Sequence, residues 1–360
     1  MNTHLITALD FYEAESPLSR PIADATHQLP AIRFVVARLT LADGTVGEGY
    51  MLAFHFSPAA LRGALVDVRA LALGRPVDGT REFDRACEQA FEYFGDVGLQ
   101  RWARGIVNLA MWDARGHQLG RPVWQLLGGK AQRVPTYGSG GWLSYSIDEL
   151  LAEATGYVRR GFTAVKLKVG SPDLERDVER IAKVRECVGP HVRVMIDANQ
   201  GLTYDGALAL AKRAAPHGIH WFEEPLSHTD FDGYAALKQN AGMALAMGER
   251  EYNLVALREL ASRKALDLWQ PDILRFGGVE GWLDSAALAR EHRLPVLAHF
   301  YKEYDTPLAC TIPDTYGVES FDWVDGLVDR PVRIENGHAY PSDQPGWGFR
   351  FKDDMLKKLA

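Results

Sequence analysis

The chain has 360 residues, of which 47% are hydrophobic, and its formal net charge at pH 7 is −7. This length exceeds one ordinary domain, and the apolar content is sufficient for a large buried core. A general acidic excess argues against nucleic-acid binding, and the lack of an 18-residue apolar run argues against a membrane span. We therefore expect a globular protein that binds neither nucleic acid nor membrane.

The cysteines and the first thirty residues bear on the cellular location. Cys87, Cys187 and Cys310 are odd in number and widely separated. They fit neither a disulfide framework nor the ligand spacing of a zinc site. The first thirty residues contain four acidic side chains and no apolar stretch of the kind found in signal peptides. A cytoplasmic protein is expected.

The first 130 residues predict an α+β module. Two β-rich runs between residues 32 and 50 are joined by Asp43-Gly44, a common hairpin turn. Helical patterns follow, one capped at Ser57-Pro58 and running toward Leu73, and a longer one from about Leu99 to Leu119. A sheet followed by helices is typical of an α+β domain, which we expect to end near residue 130.

From Val134 onward the pattern changes to strands that alternate with helices. The predicted strands lie near residues 134–138, 163–168, 192–197, 219–223, 244–248, 266–270, 295–298 and 317–319. Two helix starts have capping sequences, Ser146-x-x-Glu149 and Thr229-x-x-Asp232. Eight βα units predict a closed α/β barrel over residues 131–324, and residues 325–360 are expected to return to the N-terminal module.

Three acidic residues end successive predicted strands. Asp197, Glu223 and Glu249 follow one another at intervals of 26 residues, about one strand, one helix and two loops. A single carboxylate at a strand end can equally cap the next helix, but capping does not explain three at the same level. Oxygen-only ligands favour Mg²⁺ over zinc, which more often binds His or Cys. Glu224 is expected to face away, behind the metal site or at a helix cap.

Further polar residues end other strands. A carboxylate such as Asp272 can orient the imidazole of His299 and stabilise its protonated form, which predicts an acid/base dyad. Lys166 and Lys168 are two residues apart in one strand, so both point toward the barrel mouth. A lysine in a crowded cationic site can have its pKa lowered enough to act as a base. A solvent-exposed strand is the alternative interpretation of the two lysines.

Taken together, these residues resemble the enolase superfamily, and specifically its mandelate racemase subgroup. The resemblance covers nearly the whole chain and rests on the segments KLK, DAN, EEP, GE, PD with FGGVEGW, and H with FYKE. It implies a modified TIM barrel with an N-terminal capping domain. It also implies a small-molecule carboxylate substrate, bound Mg²⁺ and self-association into a homo-oligomer.

The resemblance assigns roles to individual residues. Lys168 resembles the base on one face of the substrate, and His299, paired with Asp272, resembles the base on the other face. Glu319 resembles the acid that donates a hydrogen bond to the developing enediolate. The resemblance implies Mg²⁺ ligands at Asp197, Glu223 and Glu249, and polar or substrate-contacting groups at Lys166, Asn199 and Ser139.

The implied chemistry is removal of the proton α to a carboxylate. If the β carbon bears a hydroxyl, loss of water gives a 2-keto acid; otherwise reprotonation on the opposite face racemises the substrate. The loop of residues 16–30 favours dehydration of an acid sugar, because it contains side chains suited to hydroxyls: Arg20, Asp24, His27 and Gln28. The more apolar residues 51–56 keep a racemase as the alternative, and a catalytically inactive barrel is a third interpretation.

Some positions depart from the family pattern. Arg250-Glu251, Lys302 and Asp305 are more charged than the resemblance leads us to expect. They follow the third predicted ligand and the predicted catalytic histidine, so they bear on the substrate rather than on the metal. The glycines at 138–141 and 277–278 do not complete a nucleotide-binding signature. No nucleotide cofactor is expected.

Overall fold

The computed structural model describes residues 4–53, 58–313 and 315–359. The first elements are β1 (Ile6–Ser16), β2 (Ile22–Ala23), β3 (Gln28–Leu29), β4 (Ile32–Leu41), β5 (Val46–Leu52), α1 (Pro58–Ala72), α2 (Thr80–Phe91), α3 (Leu99–Leu119) and α4 (Val123–Leu126). Next come β6 (Val134–Gly140), α5 (Ile147–Arg159), β7 (Ala164–Lys168), α6 (Leu174–Val188), β8 (Arg193–Asp197), α7 (Tyr204–Ala214), β9 (Ile219–Glu223), α8 (Phe231–Asn240), β10 (Leu245–Met247), α9 (Leu254–Ser262), β11 (Leu268–Trp269), α10 (Val279–Glu291), β12 (Val296–Ala298), α11 (Lys302–Ala309) and β13 (Thr315–Ser320). The last are β14 (Arg333–Glu335), β15 (His338–Tyr340) and β16 (Lys357–Lys358).

The N-terminal module is a four-stranded antiparallel sheet covered by helices. Its strand order is β16-β1-β4-β5. The predicted hairpin of β4 and β5 is confirmed: the strands pair from Phe34 with Leu52 to Thr40 with Val46. Gly44 in the turn has φ +85°, a conformation that glycine adopts without strain. The long predicted helix is α3, whereas the predicted cap at Ser57 lies outside the described residues.

Helix α3 lies unusually close to strand β5, and two strand glycines allow the approach. A Cβ atom on Gly47 would lie 2.3 Å from the carbonyl oxygen of Ala110 and 2.5 Å from the amide nitrogen of Ala114. A Cβ atom on Gly49 would lie 2.4 Å from the carbonyl oxygen of Ile106. Helix backbone cannot yield as a flexible side chain can, so a larger residue must push the helix away from the sheet.

We expect Gly47→Ala to lower the free energy of unfolding by about 1–3 kcal/mol, the usual cost of overpacking a filled core. Gly63→Ala is the matched control, because a Cβ there meets nothing within 4 Å in α1. That change should be neutral or stabilise by roughly 0.5–1 kcal/mol, since alanine is the better helix former. Urea denaturation followed by circular dichroism gives both values. Equal stability of the two variants would contradict the close approach.

The eight strands β6 to β13 form a closed parallel barrel. Each pairs with the next in chain order, and β13 pairs with β6. The eight predicted strands and the predicted fold class are therefore confirmed. Tyr137, Met195 and Trp221 fill the interior below the mouth, and the rings of Tyr137 and Trp221 are 5.4 Å apart, edge to face. A packed interior leaves the carboxyl ends of the strands as the place for a site.

The residues after the barrel contact both halves of the protein. The hairpin of β14 and β15 adds to the barrel sheet through β15 and β6, and β16 extends the N-terminal sheet by pairing with β1. The amide of Phe351 donates a 2.9 Å hydrogen bond to the buried carboxylate of Glu48. The segment after the barrel therefore first adds the hairpin of β14 and β15 to the barrel sheet, and then returns to the N-terminal module as expected. The domain boundaries at 130 and 324 remain predictions.

One of the two predicted helix caps is wrong by one residue. Ser146 forms the predicted capping box, because its side chain accepts from the amide of Glu149, whose carboxylate accepts from the amide of Ser146. At α8, however, Asp230 rather than Thr229 is the cap, and it accepts from the amide of Gly233. Asp is as good a cap as Thr, so the capping pattern alone could not decide the register.

Over the part of the chain that the structure describes, none of the helices has the length and apolarity to cross a membrane.

Candidate active site

The three predicted carboxylates meet at the barrel mouth. Asp197 and Glu223 end β8 and β9, and Glu249 lies two residues beyond the end of β10. All three side chains are buried, and one oxygen from each lies within 4.8 Å of the others. The parallel register places Asp197 directly beside Glu223, which explains why an interval of one βα unit brings the groups to one level.

Both lysines of β7 contact these carboxylates. Lys166 contacts Glu223 and lies 2.7 Å from Glu319, and Lys168 lies 2.6 Å from Asp197. Both lysines are almost completely buried. The surface-strand interpretation of the two lysines is therefore wrong. The buried charges are paired, which is what the low polarity of the interior requires.

The carboxylates around the two lysines act against the lowered pKa that the sequence suggested. Burial opposes the charged form of Lys168, but the adjacent carboxylate of Asp197 outweighs burial and raises the pKa. Burial likewise opposes charge on Lys166, and Glu223 and Glu319 raise its pKa well above the usual value. The expectation relied on crowding among cations. In the structure carboxylates surround each lysine, and their attraction decides the direction.

The carboxylates are crowded enough to call for a cation. Burial raises the pKa of Glu223 to about 8, against the attraction of Lys166, and the charges of Asp197, Glu319 and Glu249 contribute to the rise. Three buried carboxylate oxygens facing one point are the donor set that hard divalent cations prefer, and they offer no nitrogen or sulfur ligand. The residues present therefore fit Mg²⁺.

The histidine dyad lies on the other side of the carboxylates. His299 Nδ1 is 2.8 Å from Asp272 Oδ2, and His299 Nε2 is 3.1 Å from Glu249 Oε2. Asp272 Oδ1 accepts from the amides of Leu274 and Arg275, so the carboxylate is fixed and holds the ring. Burial disfavours the imidazolium, but Glu249 and then Asp272 outweigh it and raise the pKa of His299. The predicted pairing of Asp272 with His299 is present.

Glu319 lies between the two sides of the site. Its Oε1 is 2.7 Å from Lys166 Nζ, and its Oε2 accepts a 3.0 Å hydrogen bond from the amide of Phe300. Burial raises its pKa, but Lys166 and His299 outweigh burial and lower it. The carboxylate accepts hydrogen bonds here, whereas the role implied by the resemblance needs a protonated group. That role remains a prediction.

Asn199 and Ser139, two other predicted site residues, lie in different parts of the barrel. Asn199 lines the cavity described below; its backbone is left-handed, at φ +41°, and its amide donates a 2.9 Å hydrogen bond to Asp197. Ser139 pairs in register with Lys166 in the neighbouring strand and is buried in the barrel wall. Glu224 is not a helix cap, because its carboxylate is buried and lies 3.2 Å from Arg250 Nε.

A cavity of about 420 Å³ lies above the carboxylates, between the barrel and the N-terminal module. Among the predicted site residues its lining includes Lys168, Asn199, Glu249, Asp272, His299 and Glu319. Of the loop 16–30, Asp24, His27 and Leu29 line the cavity. Arg20 instead pairs with Glu149 at 2.7 Å, Gln28 is exposed, and neither is among the residues that line the cavity. Residues 54–56 of the apolar stretch lie outside the described residues.

Sequence reasoning missed much of the cavity wall. Arg275 lies 5.2 Å over the ring of Trp102 and donates a hydrogen bond to the carbonyl of Glu249. Arg250, noted only as a departure from the pattern, bridges Glu224 and Glu249 and also lines the cavity. The missed aromatic residues are Trp102, Trp142, Tyr252, Phe300, Tyr301, Phe321 and Trp323. Phe321 and Trp323 directly follow β13, the last strand of the barrel. Loops at the carboxyl ends of barrel strands form the site in this fold, so their position in the sequence could have identified them.

Two of the unexpected charged residues are buried behind the site. Lys302 Nζ lies 2.6 Å from Asp325 and donates to the carbonyl of Phe321, so it ties α11 to the loop after β13. Burial raises the pKa of Asp305 well above its usual value, with further contributions from Asp272, Glu303 and Glu319. Both residues belong to the protein interior and not to the cavity wall.

Comparison with known proteins agrees with this arrangement. Residues 8–128 match the family described as mandelate racemase / muconate lactonizing enzyme, N-terminal domain, and residues 149–355 match the family described as enolase C-terminal domain-like. The second match alone covers more than half of the chain. The protein belongs to the mandelate racemase subgroup of the enolase superfamily, as the sequence motifs suggested.

Several relatives act on sugar acids. The chain is 29% identical to a 3,6-anhydro-alpha-L-galactonate cycloisomerase from Streptomyces coelicolor, over 96% of each chain. It is 27% identical to the L-talarate/galactarate dehydratase of Salmonella typhimurium, over 95% of this chain and 87% of the relative. Its fold matches an L-talarate dehydratase from Polaromonas sp. JS666, complexed with Mg and L-glucarate, with a TM-score of 0.90, 27% identity and 99% coverage of both chains.

Proposed function

We propose that the protein is a Mg²⁺-dependent enzyme that removes the proton α to a carboxylate and dehydrates an acid sugar to a 2-keto-3-deoxy acid. The observation that carries the proposal is the placement of two proton-transfer groups around one carboxylate cluster. Lys168 Nζ lies 2.6 Å from Asp197, and His299 Nε2 lies 3.1 Å from Glu249. The groups come from the second and seventh barrel strands, so they approach the cluster from different sides.

We infer that Asp197, Glu223 and Glu249 hold the metal. When bound, Mg²⁺ supplies positive charge that stabilises the dianionic enediolate and thereby acidifies the α carbon. Lys168 and His299 exchange the α proton on opposite faces of the substrate, and Asp272 holds His299 in the required orientation. Asn199, Lys166 and Ser139 are the remaining groups that we assign to the substrate's polar atoms.

Loss of water needs a second proton transfer. The bond between the β carbon and its oxygen breaks, the electron pair leaves with the oxygen, and an acid protonates that oxygen. A protonated His299 is the acid expected from the sequence. The sugar-acid names of the relatives support this class of reaction, since both dehydratases and cycloisomerases occur among them.

A racemase remains the second candidate, and one observation favours it. One part of the cavity wall is aromatic, and the rings of Phe321 and Trp323 are stacked there with centroids 4.4 Å apart. Trp142 stacks on the same pair at 5.7 Å from Trp323. Such a wall suits an apolar substituent as well as the C–H face of a sugar. A substrate without a β-hydroxyl could only change configuration here.

We expect 2-keto acid formation from at least one member of a library of mono- and diacid sugars and their lactones. The purified enzyme is incubated with each compound and Mg²⁺, and the product is trapped as a carbonyl derivative. The same samples are analysed for a change of configuration at the α carbon. Efficient racemisation of mandelate-like acids, without dehydration of any sugar acid, would contradict the dehydratase proposal and favour the racemase.

A further inference from the structure

A short hairpin of the N-terminal module is fixed over the cavity. Strands β2 and β3 pair through Ile22 with Leu29 and Ala23 with Gln28. The carbonyl of Ala23 accepts a 2.8 Å hydrogen bond from the amide of Leu143, in the loop after β6. These contacts attach the hairpin to the first loop of the barrel.

The tip of the hairpin is attached to two further barrel loops. Thr26 Oγ1 donates a 3.2 Å hydrogen bond to the carbonyl of Asn199, after β8. Ala25 packs against Gly170 and Gly201. A Cβ atom on Gly170 would lie 2.9 Å from the Cβ of Ala25, and a Cβ atom on Gly201 would lie 2.5 Å from it. Any side chain at those glycines would therefore displace the hairpin. The tip is held in one place relative to the barrel mouth.

This tip carries a second Asp–His pair. Asp24 Oδ1 accepts from the amides of Thr26 and His27, at 2.8 and 2.7 Å, which fixes the carboxylate. His27 Nδ1 lies 3.1 Å from both oxygens of Asp24 and 2.9 Å from Thr26 Oγ1. Both side chains line the cavity. The arrangement repeats, on another element, the way in which Asp272 holds His299.

The pair lies on the Lys168 side of the cavity. Burial raises the pKa of Asp24, but the hydrogen bond from His27 and then the charge of Lys168 outweigh burial and lower it. Lys168 and His299 both contact the carboxylate cluster, so we place the α carbon of the substrate at the level of the cluster. Asp24 and His27 line the same cavity from the hairpin of the N-terminal module, so in this placement they face a carbon farther from the cluster.

We propose that His27 is a further catalytic residue, which protonates the leaving oxygen on the β carbon, and that Asp24 is its positioning residue. This inference rests on the proposed dehydration. One of the two bases takes the α proton, the β C–O bond breaks with its electron pair on oxygen, and the Nε2 proton of His27 completes the water molecule. The enol then tautomerises to the 2-keto acid. His27 regains its proton from solvent, to which 29% of its side chain is exposed.

The test separates protonation of the leaving group from removal of the α proton. His27→Asn should slow dehydration about 10²- to 10⁴-fold, the usual contribution of a general acid. The variant should still exchange the α proton of the substrate with D₂O. It should also eliminate fluoride at nearly the wild-type rate from the analogue with fluorine on the β carbon, because fluoride leaves without being protonated. Gln28→Ala, an exposed change in the same hairpin, should behave as wild type.

Asp24→Asn should show the same pattern with a smaller loss, since the ring keeps its proton but loses its fixed orientation. Equal slowing of the hydroxyl and fluoro substrates by His27→Asn would overturn the proposal and give the residue a merely structural role. Unchanged dehydration in that variant would also overturn it and leave His299 as the acid, with the proposed function intact. If the wild-type enzyme neither exchanges the α proton nor eliminates, the proposed function fails first and this inference fails with it.

Discussion

Removal of divalent cations should abolish activity, and Mg²⁺ should restore it. A Lewis acid contributes several kcal/mol to stabilising developing charge, so the loss should be about 10³-fold or more. Asp197, Glu223 and Glu249 offer only carboxylate oxygens, so Mn²⁺ is the expected substitute and soft metals are not. The measurement is turnover of the identified substrate after dialysis against a chelator, followed by titration with each metal.

A variant of the third ligand tests the same assignment without a chelator. Glu249→Gln should lose turnover and weaken metal binding while the far-UV spectrum stays that of the wild type. Glu251→Gln is the matched control, because Glu251 is also buried nearby but pairs with His228 at 2.8 Å outside the carboxylate cluster. Full activity of the dialysed enzyme in excess chelator would remove the metal from the mechanism.

Loss of either base should block turnover but leave exchange by the other. Lys168→Ala and His299→Asn should each slow the overall reaction by about 10²- to 10⁴-fold. In D₂O, His299→Asn should still introduce deuterium at the α carbon of the epimer that faces Lys168. Lys168→Ala should do so with the epimer that faces His299. Each variant keeps one of the two bases, because Lys168 and His299 approach the carboxylate cluster from different sides.

The exchange experiment needs a control variant that is changed near the barrel mouth but keeps both Lys168 and His299. Asn253 follows the lining residue Tyr252 and caps α9 by accepting from the amide of Val255, so Asn253→Ala removes this cap and should keep both exchange reactions. If Lys168→Ala kept nearly normal turnover of the true substrate, Lys168 would be only an electrostatic neighbour. A scheme with His299 as the one base would then replace the scheme with two.

The sequence was informative about the barrel because each barrel unit is local. A strand, a helix and two loops have a characteristic length, so the intervals between Asp197, Glu223 and Glu249 were enough to place them at one level. The same argument placed Asp272 beside His299, and strand alternation placed Lys166 and Lys168 on one face. Even the two-residue strand β11 was predicted, because the residues around it keep the period.

The cavity wall could not be predicted in this way. It forms where loops of the module and the barrel meet, and their relative placement depends on contacts such as those of Ala25 with Gly170 and Gly201. Arg20 was expected in the cavity but finds a nearer partner in Glu149, which only the folded arrangement brings close. The pKa of Lys168 could not be predicted for a related reason, because it depends on which charges lie within a few ångströms, and Asp197 is the nearest of them.

The fate of a deuterium label at the α carbon tests the central claim most directly. The substrate identified in the library is prepared with deuterium at that carbon and converted by the wild-type enzyme in ordinary water. We predict that the label is lost to solvent. We also predict that the deuterated substrate reacts more slowly than the unlabelled substrate, which is a primary isotope effect. Complete transfer of the label to the adjacent carbon of the product, together with no uptake of deuterium from D₂O at the α carbon of the unlabelled substrate, would contradict proton exchange by bases at this site.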